Sequence, residues 1–261
     1  MKTVRLRNIE IGMKVPKVCV PIVGKTFSEV IEQAERISPM GADLVEWRAD
    51  CCDFYSEREQ VEAVLVSIRE ILEDTPILFT FRSRQEGGNQ PIGGKEYLEL
   101  NRFAIQEGMA DMIDVELSHE DEIVDEIIRT AHWAKIPVIL SSHNFERTPD
   151  PAAMTETLKE MEKRGADIAK LAVMPNCERD VLNLLCATLD AREQMDIPVV
   201  TMAMGGIGIV SRLSGECFGS ALTFGCVGKA SAPGQVELKQ LKATLELIHR
   251  GITRSELEQE D

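Results

Sequence analysis

The chain has 261 residues and a formal net charge of −15. The length suits one large α/β domain or two ordinary ones, and the charge argues against nucleic acid or an acidic membrane surface as partner. Its seven cysteines are scattered without CxxC spacing, and none of the four histidines (His119, His132, His143, His249) stands beside one, which reads as reduced thiols and no zinc site. Residues 1–7 hold no apolar signal core and no stretch approaches a membrane span, so a cytoplasmic protein is expected.

In chain order, residues 4–14 precede the first core strand, and Gly12 is expected to centre a small hairpin. Short apolar runs then follow at 17–23 (KVCVPIV), 42–47 (ADLVEW), 76–82 (PILFTFR), 112–117 (MIDVEL), 137–143 (PVILSSH), 168–174 (IAKLAVM), 198–204 (PVVTMAM) and 220–226 (SALTFGC). Each has the length and the Val/Ile/Leu/Ala content of a buried parallel strand. Amphipathic segments at 28–37, 57–72, 120–133, 154–164, 179–194 and 236–250 carry apolar residues at helical spacing. Ser28 and Asp150-Pro151 read as helix starts, and Gly108, Gly165 and Gly251 as helix stops. The polar end, 254–261, is expected to fray.

Strands and helices in strict alternation predict a closed (β/α)8 TIM barrel, one domain over 1–261, with the N-terminal hairpin covering the barrel floor. An open doubly wound sheet is the alternative architecture.

Chemistry in a barrel of this kind collects at the C-terminal ends of strands. The polar residues there are Glu46 and Arg48, then Thr80 and Arg82 followed by Glu86 in a Gly-rich loop, then Asp114 and Glu116. Ser141, His143 and Lys170 continue the series, and Met202, Met204 and the loop Gly205-Gly206 lead to Ser211 and Arg212. Singly, each has a plain structural reading: Glu46 with Arg48, or Asp114 with Arg82, as an ion pair closing a barrel layer, and His143 as a satisfied core histidine. Lys170 read alone is a strand-end lysine snorkelling to the surface.

Together the polar strand ends resist that reading, because many desolvated charges stabilise a purely structural barrel little. Three arginines suggest a bound carboxylate or phosphate. A lysine with a histidine suffices for imine chemistry, the amine forming the Schiff base and the imidazole moving protons. The arginines are expected to set up a positive field that keeps the Lys170 amine neutral until an anionic substrate arrives. A class I aldolase, a magnesium-assisted lyase using Asp114 and Glu116, and a non-catalytic acid-binding protein remain as rivals.

Set in order, the fragments Glu46-Trp47-Arg48 with Asp50, Phe79-Thr80-Phe81-Arg82 with Glu86-Gly87-Gly88, and Asp114-Val115-Glu116-Leu117 form a recognisable series. It continues through Ser141-Ser142-His143-Asn144-Phe145, Lys170-Leu171-Ala172-Val173-Met174-Pro175, Ser211-Arg212-Leu213 and Ser231-Ala232-Pro233-Gly234-Gln235. Over essentially the whole chain it resembles the type I 3-dehydroquinate dehydratases of the shikimate pathway. The resemblance implies a (β/α)8 barrel, a homodimer, no metal or cofactor, and 3-dehydroquinate as the small-molecule substrate. It further implies Lys170 as the Schiff-base nucleophile, His143 as general base and Glu86 as the carboxylate that orients it. Arg212 would clamp the substrate carboxylate, with Glu46, Arg48, Arg82, Ser231 and Gln235 around the hydroxyls. Met202, Met204, Phe145 and Ala232 would form an apolar wall, and Asp114 would stand behind the substrate-contacting residues. Three positions depart from the family pattern: Ser142 before the histidine, Pro21 where some members carry serine, and Gly205-Gly206 where many carry a lysine.

Overall fold

The computed structural model describes residues 2–228 and 230–260. Strands β1 (Val4–Leu6) and β2 (Ile9–Ile11) pair antiparallel with Leu6 opposite Ile9, so the hairpin turns on Arg7-Asn8, with Arg7 at φ +45°. The turn is therefore not centred on Gly12. A two-residue hairpin loop needs a left-handed backbone position, which Arg7 supplies. Gly12 instead serves the exit from β2 at φ +102°, where an added Cβ would stand 3.0 Å from Pro198 Cγ.

The barrel strands are β3 (Lys17–Ile22), β4 (Leu44–Arg48), β5 (Ile77–Thr80), β6 (Met112–Glu116), β7 (Val138–Asn144), β8 (Ile168–Val173), β9 (Val199–Ala203) and β10 (Leu222–Cys226), with a short β11 (Val236–Glu237) beside β10. All are parallel, in the order β11-β10-β3-β4-β5-β6-β7-β8-β9. A parallel bridge between Val199 and Ser220, with Ala221 N donating to Val199 O at 2.8 Å, returns β9 to the start of β10 and closes the ring. The expected (β/α)8 barrel is what the chain forms.

Helices α1 (Phe27–Ile37), α2 (Arg58–Leu72), α3 (Gly94–Glu107), α4 (Asp121–Trp133), α5 (Pro151–Lys163), α6 (Glu178–Gln194), α7 (Ile209–Leu213), α8 (Gly215–Phe218) and α9 (Leu238–Glu260) surround the sheet. Two boundaries and one whole helix differ from expectation. Thr26, not Ser28, caps α1, its hydroxyl accepting from Glu29 N. The helix α3, unannounced by clean periodicity, ends at the expected Gly108. Gly251 does not stop α9, since one glycine costs a helix only about 0.5–1 kcal/mol and the hydrogen-bonded run continues to Glu260. Of the segment expected to fray, Asp261 lies outside the described residues.

Alternation along the strands separates two apolar bodies. Outward residues such as Val45, Trp47, Phe79, Val115, Leu140 and Leu171 pack under the helices. Inward residues Leu44, Leu78, Met112, Ile139, Ile168, Val200 and Leu222 meet Val4, Leu6 and Ile11 of the hairpin and seal the floor. Above that floor the inward positions turn polar.

Candidate active site

The C-terminal end of the barrel encloses a cavity of about 220 Å³. Glu46, Arg48, Arg82, Glu86, His143, Lys170, Met202, Met204, Phe145, Arg212, Ser231, Ala232 and Gln235 all line it, so the residues expected from the sequence to bind and react are brought to one place. Strand geometry explains most of this. Positions two and four residues beyond the floor point inward again: Glu46 and Arg48 after Leu44, Ser141 and His143 after Ile139, Lys170 after Ile168. Ser141 and Lys170 are register partners across β7 and β8.

Lys170 is 3 % exposed and its Nζ donates to Asp114 Oδ2 at 2.8 Å; Glu46 Oε1 lies 3.9 Å away. The ring of Phe224 sits below the amine, 4.5 Å from Nζ to its centroid. The positive field expected from the arginines is thus met at the amine itself by a carboxylate, its nearest charged neighbour. Asp114 Oδ1 also accepts from Arg82 at 2.7 Å and from Ser141 Oγ at 2.5 Å. Burial opposes ionisation of Asp114, but the charges of Arg82 and Lys170 hold its carboxyl well below the usual carboxylate range.

Arg82 is the hub of this network. Beyond Asp114 it donates to Glu116 Oε1 at 3.0 Å, Ser141 Oγ at 2.9 Å and Glu86 Oε2 at 3.5 Å. Arg48 is likewise committed, donating Nε and Nη2 to the two oxygens of Asp50 at 2.7 and 2.9 Å. Asp50 also accepts from the backbone of Arg82 and Asn89, tying β4 to the loop that carries Glu86. Gly88 lets that loop pass close by, since a Cβ there would stand 1.7 Å from Arg82 O.

Arg212 is different. Its Nη1 meets Met202 Sδ at 3.5 Å and its Nη2 the Pro233 carbonyl at 3.1 Å, while Nε has no hydrogen-bond partner among the described residues. Burial pushes its guanidinium down to about 10. The three arginines expected to grip an anion thus reduce to one whose charge no protein carboxylate neutralises among the described residues. Ser211 places Arg212 by linking α7 to β9: its Oγ donates to Gly208 O and accepts from Ala203 N.

His143 receives Glu86 on two atoms. Its backbone N donates to Glu86 Oε2 at 3.1 Å, and Nδ1 lies 2.8 Å from the same oxygen. Burial, with the charges of Arg82 and Lys170, pushes the imidazole well below its ordinary value, so it is neutral at physiological pH. Burial also pushes the Glu86 carboxyl up to about 7, against the pull of Arg82. With Nδ1–H donating to Glu86, the lone pair of Nε2 is left as the basic position.

The roof is the segment 231–235. Ser231 N donates to Gln235 Oε1 and Gln235 Nε2 to Ser231 Oγ, both at 2.8 Å. Gly205 N donates to Pro233 O at 3.2 Å, and a Cβ on Gly234 (φ +79°) would stand 2.4 Å from Gly205 O. At Gly205 the strand-end loop thus meets the roof through its backbone.

Of the plain ion pairs considered from sequence, Asp114 with Arg82 exists, whereas Glu46 takes Thr80 Oγ1 at 2.9 Å and leaves Arg48 to Asp50. Asp114 and Glu116, the pair considered for magnesium, both accept from Arg82, and the described residues include no group of three or more His, Cys, Asp or Glu arranged to hold a metal ion. Sequence reasoning missed Phe224 as a cavity wall, although it stands two residues beyond Leu222 on the inward face of β10.

A model of the type I 3-dehydroquinase family matches residues 18–252. The 3-dehydroquinate dehydratase of Bacillus licheniformis is 45 % identical over 252 residues, covering 96 % of this chain and 99 % of that protein. That of Listeria monocytogenes serotype 4b (strain F2365) is 45 % identical over 250 residues with the same coverage. Among solved structures, the type I 3-dehydroquinate dehydratase of Clostridium difficile with covalent modified comenic acid superposes with a TM-score of 0.93 at 43 % identity, over 96 % of this chain and 98 % of that one. The chain belongs to the type I 3-dehydroquinase family, a family of hydro-lyases.

Proposed function

We propose that this hydro-lyase removes water from 3-dehydroquinate through an imine on Lys170, giving 3-dehydroshikimate. The observation that carries the reading is the juxtaposition in one cavity of a buried primary amine, a neutral histidine held by a carboxylate, and Arg212 with its unneutralised charge.

Arg212 takes the substrate carboxylate, which supplies the countercharge missing at that position. Glu46, Arg48, Arg82, Ser231 and Gln235 hold the ring hydroxyls; Arg48 and Arg82 act there as hydrogen-bond donors whose net charge is already balanced. Met202, Met204, Phe145 and Ala232 exclude water from the reacting carbon.

Lys170 reacts after its ammonium gives up a proton. Asp114 remains ionised and is a poor acceptor, so the proton goes to the neutral imidazole of His143. Nζ then attacks the ring ketone; the imidazolium returns its proton to the carbonyl oxygen, which takes a second from the nitrogen and leaves as water, forming the iminium and restoring neutral His143. His143 Nε2 removes the proton beside the C=N bond, and the electron pair flows into the iminium to give an enamine. The enamine pushes out the ring hydroxyl, which takes a proton from the imidazolium and departs as a second water, one residue serving both ends of a syn elimination. Hydrolysis of the conjugated imine consumes one water and frees the product and Lys170. Asp114 stabilises each cationic nitrogen along the way, and Glu86 stabilises the transient imidazolium.

Borohydride added with 3-dehydroquinate is expected to fix the substrate to Lys170 as a mass increase on its peptide; an unmodified peptide, or an adduct elsewhere, overturns the mechanism. Family membership also supports a place in the shikimate pathway towards aromatic amino acids, a cytoplasmic location and a homodimer. Exposed Ile207, Ile209 and Val210, which fall in the chain between the cavity residues Met204 and Arg212, are apolar surface for a second copy to cover. Sedimentation at twice the chain mass is the expected outcome.

A further inference from the structure

The loop after β6 sets two consecutive polar side chains against two of the three carboxylates that Arg82 binds. Ser118 Oγ donates to Glu86 Oε1 at 2.6 Å, the oxygen that His143 leaves unused. His119 Nε2 lies 3.3 Å from Glu116 Oε2, the oxygen that Arg82 and Ser83 leave unused. The loop is fixed from both sides. The imidazole of His119 stacks on Tyr97 at 3.9 Å, and Tyr97 OH accepts from Glu116 N at 2.9 Å. Leu117 N is bonded to Ser141 O at 2.8 Å. Ser118 is therefore held in place by residues that take no part in the chemistry.

We propose that Ser118 is a positioning residue for the dehydration, holding one oxygen of Glu86 so that the other stays on His143. The inference rests on the reading of His143 as the base. A carboxylate with one oxygen free can rotate; Glu86 cannot, because Ser118 binds Oε1 while the His143 backbone and ring bind Oε2.

The same bond bears on the proton affinity of Glu86. Facing that carboxyl are Arg82 from its own loop, Asp114 and Glu116 from β6 and His143 from β7, with Lys170 of β8 and Arg48 of β4 across the cavity. Burial and the two other carboxylates favour the protonated form, whereas Arg82 and the Ser118 hydroxyl favour the ionised form. A hydroxyl donor serves a carboxylate and is of less use to a carboxylic acid. Without it, Glu86 takes up a proton at higher pH and stops stabilising the imidazolium.

The test is the pH profile of kcat for Ser118→Ala against the parent enzyme. The acid limb is expected to move to higher pH by about one unit, so that the variant loses several-fold more activity at pH 6 than at pH 9. Ser118→Thr keeps a hydroxyl and is expected to return the limb toward the parent position. Should the alanine variant fold poorly, Ser118→Val against Ser118→Thr makes the same comparison between side chains of nearly equal shape. A limb that stays in place in every variant without the hydroxyl, or that moves equally with threonine, overturns the proposal. His143→Ala separates the two ideas: if it keeps parent turnover, the base assignment fails; if it is inactive while the Ser118 profiles coincide, only the role of Ser118 fails.

Discussion

The floor and the mouth of the barrel are built from the same strands and obey opposite rules. At the floor, Leu44, Leu78, Met112, Ile139 and Ile168 point inward, fully buried against the hairpin. Two and four residues further along the same strands stand Glu46 and Arg48, Asp114 and Glu116, Ser141 and His143, and Lys170. Burying an aliphatic side chain contributes about 1.5–3 kcal/mol, while taking an ion out of water costs several kcal/mol that pairing only partly returns. One end therefore supplies stability and the other consumes it. A strand only five to seven residues long carries both functions because parallel strands in a barrel all point the same way.

Substitutions at each end should separate these contributions, and Lys170→Ala has the largest effect. Turnover is expected to vanish while 3-dehydroquinate still binds through Arg212, as read by calorimetry; residual parent-like turnover would remove Lys170 from the mechanism. His143→Ala comes next, with kcat lowered about 10²–10⁴-fold. With water taking over the proton transfers at the amine, imine formation remains possible there while removal of the ring proton does not, so a covalent adduct is expected to accumulate in the mass spectrum. At the floor, Ile139→Ala should cost about 2–5 kcal/mol in denaturant unfolding with KM unchanged; a changed KM would mean that the two ends are not independent.

Arg212→Ala reverses that pattern. The loss of a charge-assisted contact to the substrate carboxylate, about 1.5–3 kcal/mol, raises KM roughly 10–100-fold. Stability should hold or rise, because the side chain removed is a buried cation that no protein carboxylate neutralises among the described residues. Arg48→Ala instead leaves Asp50 buried without its bidentate partner, so a clear loss of stability is expected there.

The same division decides what the sequence made legible. Inward and outward faces follow a period of two, so the barrel and the column of polar strand ends could be read from runs such as MIDVEL and PVILSSH. Pairings could not. Asp114 and Lys170 are 56 positions apart, and only the closed sheet brings the carboxylate to the amine instead of leaving Lys170 in an arginine field. Helix α3 was obscured because it opens on glycines without a side-chain cap and buries Asn101 among its apolar residues. Ser118 and His119 lie on a loop, where neither period applies, and nothing in the sequence marks a serine that will meet Glu86 across 32 residues.

The smallest expected effect is also the one that locates the working proton. Burial sets Glu86 at about 7, while burial and the charges of Arg82 and Lys170 hold His143 well below its ordinary value. As pH falls, the first proton taken up by this pair therefore goes to the carboxyl and not to the ring. The active form, carboxylate with neutral imidazole, is nearly complete by about pH 8, half present near pH 7 and lost below it, so kcat at pH 6 should be roughly tenfold below its value at pH 8. Glu86→Gln cannot titrate at that position. It should lower the plateau and abolish the limb near 7, leaving only the fall that belongs to His143 at lower pH. A limb that stays near 7 in Glu86→Gln would assign the titration to another group. In Ile139→Ala, whose change is confined to the floor, the limb should stay where the parent has it even though the protein unfolds more easily.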